Sequence, residues 1–378
     1  MLRALALLGC LLLVEPAFAQ SGGGARISGQ VTHAETGEPI GGVHVFISGS
    51  TAGTISGPDG LFELNAIPLG ANRIVVSSVG YRRQGHDVVV RRPIGFSMDF
   101  ALEPEVVPLE EITVTGELDP RWPEQLEAFQ REFLGFTARA AESRIANPEI
   151  LDFAEVNGVL RARAEGPLVV ENRALGYRIL YFLQAFESRG RETRQEGEAL
   201  FSELDPKTPE QLEEWAQARR EAYLGSSRHL FRQLFREQTK EAGFFLYSSD
   251  EPRPPREAAP YRQNQAAPIQ RPQFAMRPAD LVSEGPSPRE RLVSFPKYVE
   301  VVYTKEDESA TYRRWQGLPE PLRPDYQRSW VRLTRESVLV DTDGSILDAY
   351  GVVFYGHMAY ERLADLVPRE YAPAVTDS

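Results

Sequence analysis

The sequence predicts an all-β sandwich of about seven strands near its N-terminal end, followed by an α+β domain that carries a long proline-rich insert. Three observations point there. From Arg26 to Leu102 apolar residues alternate with period two between turns rich in Gly, Pro and Asp. From Arg121 onward the apolar spacing switches between helical and extended periods. Between Asp250 and Arg289 prolines recur among Arg, Gln, Ala and Ser, a composition unable to bury a core.

The chain has 378 residues and a formal net charge of −12. Its 42% hydrophobic content suffices for ordinary packed cores, and its length suits two or three domains. The acidic balance disfavours nucleic acid and anionic membrane surfaces as partners. Residues 1–19 read as a secretory signal: Arg3 is the positive start, Ala4 to Val14 the apolar run, and Ala17, Phe18 and Ala19 form an A-x-A cleavage site. The run is too short to span a bilayer, and no later stretch is long and apolar enough, so no transmembrane helix is expected in the mature chain. The sole cysteine, Cys10, lies in "LLGC", which is similar to a lipobox with few residues before it. Cleavage after Ala19 would leave no thiol for disulfide, nucleophilic or metal chemistry. The expected location is periplasmic or at the outer membrane.

Within the sandwich, Ile27 and Val31 share a face, as do Val43, Val45 and Ile47, then Phe62 and Leu64, Ile74 and Val76, Val88 and Val90, and the closing run Phe96 to Leu102. "TGEPIGG", "GPDG" and "IPLG" supply the turns. These pieces, together with "SSVGY" at 77–81, resemble the carboxypeptidase regulatory-like domain, a transthyretin-like β-sandwich common in secreted Bacteroidetes proteins, over residues 25–104. The resemblance implies a non-catalytic accessory module. Peptidase chemistry is disfavoured independently, because a zinc carboxypeptidase needs a His with a Glu three residues on. None of His33, His44, His86, His229 and His357 has one.

"LEEITVTG" (109–116), in a connector expected over 105–120, stands where TonB-dependent receptors pass from such a domain into a plug. The 262 residues after Gly116 show no train of alternating hairpins, and barrel strands alone would need about 220. An extended connector or edge strand is expected instead.

The α+β domain is expected over 121–249 and 295–378, with 250–294 as a disordered proline-rich loop. Residues 121–135 suit a helix with Leu126, Phe129, Phe133 and Leu134 on one face. Asn157–Gly158 is a hairpin signal, and the strand Tyr177 to Gln184, apolar on both faces, reads as central. Thr208, Pro209 and Gln211 open a helix that breaks at Gly225 and resumes to about Lys240. Residues 297–304 read as a strand, Asp343–Gly344 as a hairpin turn, and 356–368 as a short helix. The segments "PLVVENRALGYRILYFL", "RREAYLGSSRHLFRQLF" and "YERLADLVPREYAP" resemble a Bacteroidetes family of secreted proteins in which they follow a carboxypeptidase regulatory-like domain. That implies one two-part architecture and brings no catalytic residues.

Candidate binding groups are Glu171, Arg173 and Tyr181 near "ENRALGY", and Arg228 and Arg232, which suit an anion unless they form a solvated face with neighbouring glutamates. Neither a G-x-S-x-G elbow nor a metal motif occurs, and no cofactor is expected. The leading expectation is a secreted, non-catalytic envelope accessory protein that binds an envelope protein or glycan. The rivals are a hydrolase housed in 117–378, marked by convergence of Glu171, Arg173 and Tyr181, and a partner of a TonB-dependent receptor.

Overall fold

A computed structural model describes residues 24–105, 120–189, 192–252, 274–317, 325–347 and 351–373. The signal segment with Cys10, the stretch 109–116 and the proline-rich residues 253–273 lie outside the described residues.

The sandwich comprises β1 (Ala25–His33), β2 (His44–Ile47), β3 (Gly53–Ile55), β4 (Leu61–Ile67), β5 (Gly70–Ser77), β6 (Gln84–Val90), β7 (Gly95–Ser97) and β8 (Phe100–Leu102). One sheet runs β4-β1-β7, with β8 also on β1, and the other runs β3-β2-β5-β6. Alternate residues point inward, so Ile27, Val31, Val45, Ile47, Leu64, Ile74 and Val76 are buried in one core between the sheets. Both β7 and β8 lie parallel to β1. Between them Asp99 Oδ1 accepts the Gln30 N–H at 2.8 Å, which interrupts the ladder and divides one lane into two segments. The turn at Asp59–Gly60 follows from Gly60, whose φ of 73° favours glycine.

The expected single α+β domain resolves into two hydrophobic cores. The first is built from α1 (Trp122–Leu134), α2 (Ala138–Ala141), β9 (Ser143–Ile145), β10 (Leu151–Val156), β11 (Val159–Ala164), β12 (Leu168–Asn172), β13 (Tyr177–Arg189), β14 (Glu192–Glu203) and α3 (Pro209–Tyr223). Its sheet is ordered β10-β11-β13-β12-β9, with β14 on β13, so β13 is central as its two apolar faces require. Phe129 and Phe133 of α1 stack at 4.8 Å and bury against Tyr181 and Phe186. Asn157 and Gly158 turn the β10–β11 hairpin with φ of 54° and 72°.

The second core joins α4 (Ser227–Phe235), β15 (Phe244–Ser249), α5 (Pro278–Leu281), β16 (Val282–Glu284), β17 (Glu290–Val293), β18 (Tyr298–Asp307), α6 (Ala310–Gln316), β19 (Tyr326–Leu333), β20 (Val338–Asp341), β21 (Val352–Gly356) and α7 (His357–Tyr360). A sheet β15-β18-β19-β21 packs with a smaller sheet β16-β17-β20. This corrects the expected loop: residues 274–294 are folded, and Leu281 and Val293 are core residues. Apolar side chains spaced between the last prolines outweigh composition here. The helix expected over 356–368 also differs. It is one turn of α7, an extended Glu361, then a 3-10 turn at Leu363–Asp365.

The sandwich sits on the second face of the β13–β14 sheet. Phe46 and Phe182 stack at 4.7 Å beside Val75, Leu180 and Leu200. Loop 48–50 hydrogen-bonds to β14, through Gly49 N to Ala199 O at 2.7 Å and Phe201 N to Ser50 O at 2.9 Å. The C-terminal segment closes the junction. Arg369 donates to Asp343 at 3.0 Å, to Asp341 at 3.4 Å and to the Ala71 carbonyl at 3.2 Å.

Candidate functional site

The structure brings Glu171 and Arg173 together, 3.6 Å apart, but turns Tyr181 away from them, and period-two alternation is the reason. On β12, Leu168, Val170 and Asn172 face the first core and Glu171 the opposite side. Tyr181 of β13 points into that core and meets Phe133 edge-on at 5.0 Å. Glu171 instead centres a surface ion cluster. Arg144 binds it at 2.8 Å and 3.0 Å, with Arg173 at 3.6 Å and Arg178 at 3.7 Å. The Arg144 hydrogen bonds, aided by the other two guanidinium groups, hold the Glu171 carboxyl below the usual range.

Arg228 and Arg232 do not form a solvated face with the glutamates. Arg228 donates to the carbonyls of Pro368 and Tyr371, pinning the C-terminal segment, and its guanidinium lies 5.0 Å over the Tyr223 ring. Arg232 donates to Tyr223 Oη at 3.3 Å. Helical packing turns Arg228 toward the chain's own C-terminal segment and Arg232 toward Tyr223.

A different site emerges where the two cores meet. A cleft of about 930 Å³ opens between α2, α3, the end of β18 and α7. Local sequence chemistry builds each wall. Thr137 caps α2, its hydroxyl accepting the Ala140 N–H, and so positions Arg139. Thr208 caps α3, which carries Trp215 and Glu221 to another wall. Gly356, at φ 73° with a Cβ position 2.5 Å from the Arg328 carbonyl, makes the tight turn that delivers His357, Tyr360 and Glu361.

The floor is electrostatically unusual. Arg139 donates to Asp365 Oδ1 at 3.1 Å and lies 3.9 Å from Glu221. Gln327 donates to Glu306 at 3.0 Å. Burial, reinforced by the Asp365 and Glu306 charges against the opposing pull of Arg139, holds Glu361 well above the usual carboxylate range. Burial likewise raises Asp365 and Glu306. Burial, with Arg139 adding to it, lowers His357 to about 4, so its ring is neutral at pH 7. Its Nδ1 lies 3.9 Å from Glu361 Oε1. Such an arrangement can hold a proton on Glu361 and give it up when a positive charge enters. Among the described residues, no group of three or more His, Cys, Asp or Glu side chains is arranged to hold a metal ion. Sequence reasoning missed Glu361 and His357. The local trace was four polar residues, His357, Glu361, Arg362 and Asp365, set among the apolar ones of "HMAYERLADL".

The N-terminal architecture is matched by a family model, the CarboxypepD_reg-like domain, over residues 27–114. Residues 27–114 are a CarboxypepD_reg-like domain. The TonB-dependent receptor SusC of Bacteroides thetaiotaomicron is 37% identical over 81 residues, 21% of this chain. The chain spans 7% of that receptor's length, so the likeness concerns the CarboxypepD_reg-like domain alone. Among solved structures, 5-hydroxyisourate hydrolase of Klebsiella pneumoniae is 21% identical, covering 21% of this chain and 91% of the other, with a TM-score of 0.18. A candidate carbohydrate-binding protein from Bacteroides uniformis is 13% identical, covering 42% of this chain and 60% of the other, with a TM-score of 0.19. Scores this low tie neither activity to this chain. No helix among the described residues is long and apolar enough to cross a membrane.

Proposed function

We propose that the chain is a secreted, non-catalytic accessory protein of the bacterial envelope that binds an envelope protein or glycan. The observation that carries this reading is the built-in position of the CarboxypepD_reg-like domain. It packs through Phe46 on Phe182 and is hydrogen-bonded along β14 and to Arg369, so it braces the sheet whose other face supports the cleft walls. A binding body needs such bracing, because a preformed site loses less freedom when it is occupied. The separation of Tyr181 from the Glu171–Arg173 pair also supports binding over hydrolysis, since no reacting atom can touch a core tyrosine and a carboxylate on the opposite sheet face.

Capture of the mature chain from crosslinked envelopes, read by mass spectrometry, tests the proposal. A reproducible envelope protein or glycoconjugate is the expected outcome, and a TonB-dependent receptor among the captured proteins would name the pathway. Empty captures together with turnover of chromogenic glycosides or esters would overturn it.

A further inference from the structure

Three cations, Arg139, Arg173 and Lys207, line the cleft against six acids. Glu221, Glu306 and Glu361 line it from α3, β18 and the residue after α7, and Asp365 of the following 3-10 turn is buried behind, close enough to act on Glu361. Arg139 is the one guanidinium ion-paired to any of them among the described residues, and it serves Asp365 and Glu221. Glu306 has only the neutral Gln327 amide, and no hydrogen bond among the described residues reaches the Glu361 carboxylate.

The second observation is independent of the acids. His357 is 7% exposed, lines the cleft, and its ring makes no hydrogen bond among the described residues, its approach to Glu361 being 3.9 Å. A polar ring this buried and without a protein partner takes one from what fills the cleft, water or an occupant. The Tyr360 ring, 5.9 Å from the His357 ring, lines the cleft as well, and the Tyr312 ring is buried 5.0 Å behind His357, so the polar floor has an aromatic backing.

Resting on the binding role proposed above, we infer that this cleft receives a ligand's cationic group, a primary ammonium or a guanidinium, between Glu306 and Glu361. The incoming cation supplies the missing counter-charge. It also favours the ionised form of Glu361, so binding releases a proton and tightens as pH rises. Facing Glu361 are Arg139 from α2, Glu306 from β18, His357 from α7 and Asp365 from the 3-10 turn. Of these, Arg139 alone opposes the protonated state. A basic peptide side chain, a polyamine and an amino sugar share this chemistry.

Calorimetric titration of the mature chain with Nα-acetyl-lysine methylamide, Nα-acetyl-arginine methylamide, spermidine and glucosamine distinguishes the sources. The expected result is one preferred probe, bound about tenfold tighter near pH 7.5 than near pH 5.5, with proton release seen by comparing buffers of different ionisation heat. Glu361→Gln should abolish the pH dependence, and both Glu361→Gln and Glu306→Gln should weaken binding about tenfold. Glu187→Gln, on the exposed β13 surface, should change nothing. Thermal melts confirm folding, and Gln at 361 mimics the protonated carboxyl. Binding by no probe, binding without proton release, or wild-type affinity in both Glu361→Gln and Glu306→Gln would overturn the inference. Normal envelope capture by Glu361→Gln alongside such a failure would leave the accessory role standing.

Discussion

Arg369 is nine per cent exposed and supplies the positive charge for Asp341, whose side chain is one per cent exposed. Arg369→Ala should therefore destabilise by about 3 kcal/mol, because it strands a buried carboxylate, and a denaturant midpoint shift would measure it. His229 carries a pH prediction. Burial, with nearby Arg232, Lys305 and Arg228, lowers it from 6.5 to about 4. The unfolded chain thus binds a proton that the native ring refuses, and stability falls as pH drops from 6.5 toward 4. The difference in melting temperature between wild type and His229→Phe should shrink across that window, and an unchanged difference would refute it. Neither residue was legible locally. Arg369 acts on Asp341 and Ala71, 28 and 298 positions away, and no periodicity reports such partners.

At the scale of elements, legibility was higher. The helix ends, the Asn157–Gly158 hairpin, the break at Gly225 and the central strand β13 all follow from capping, turn chemistry and apolar spacing within a dozen residues. Failures came where tertiary contacts rescued weak local signals. Residues 274–294 fold because Leu281 and Val293 find a core, and the α7 segment breaks at the extended Glu361, which lines the cleft. Gly344 tests how firmly one turn is docked. Its φ is 86°, and an added Cβ would lie 2.1 Å from the Arg228 carbonyl of α4. Gly344→Ala should cost about 2 kcal/mol, read as a lowered chemical midpoint, whereas Gly158→Ala, in open space, should cost about 1 kcal/mol from backbone conformation alone.

For the whole molecule, the junction of sandwich and body is the controlling feature. A protease site placed within 106–119 and then cut should leave the two pieces associated on gel filtration, because the Phe46–Phe182 stack and the β14 hydrogen bonds do not depend on the connector. Phe182→Asp should release them by burying a charge in that contact. Pieces that separate without the substitution would show the interface to be weak.

The sequence by itself determined the CarboxypepD_reg-like domain, most of the elements and the acidic net charge, since these depend on periodicity, turn residues and composition. Only the tertiary structure decided that the second part has two cores and that Tyr181 and Glu171 are divided by a sheet. It alone gathered Arg139, Glu306, His357, Glu361 and Asp365 around one cleft. Burial and charge proximity act between residues far apart in the chain, as between Arg139 and Asp365, 226 positions apart, and they exist only once the chain has packed.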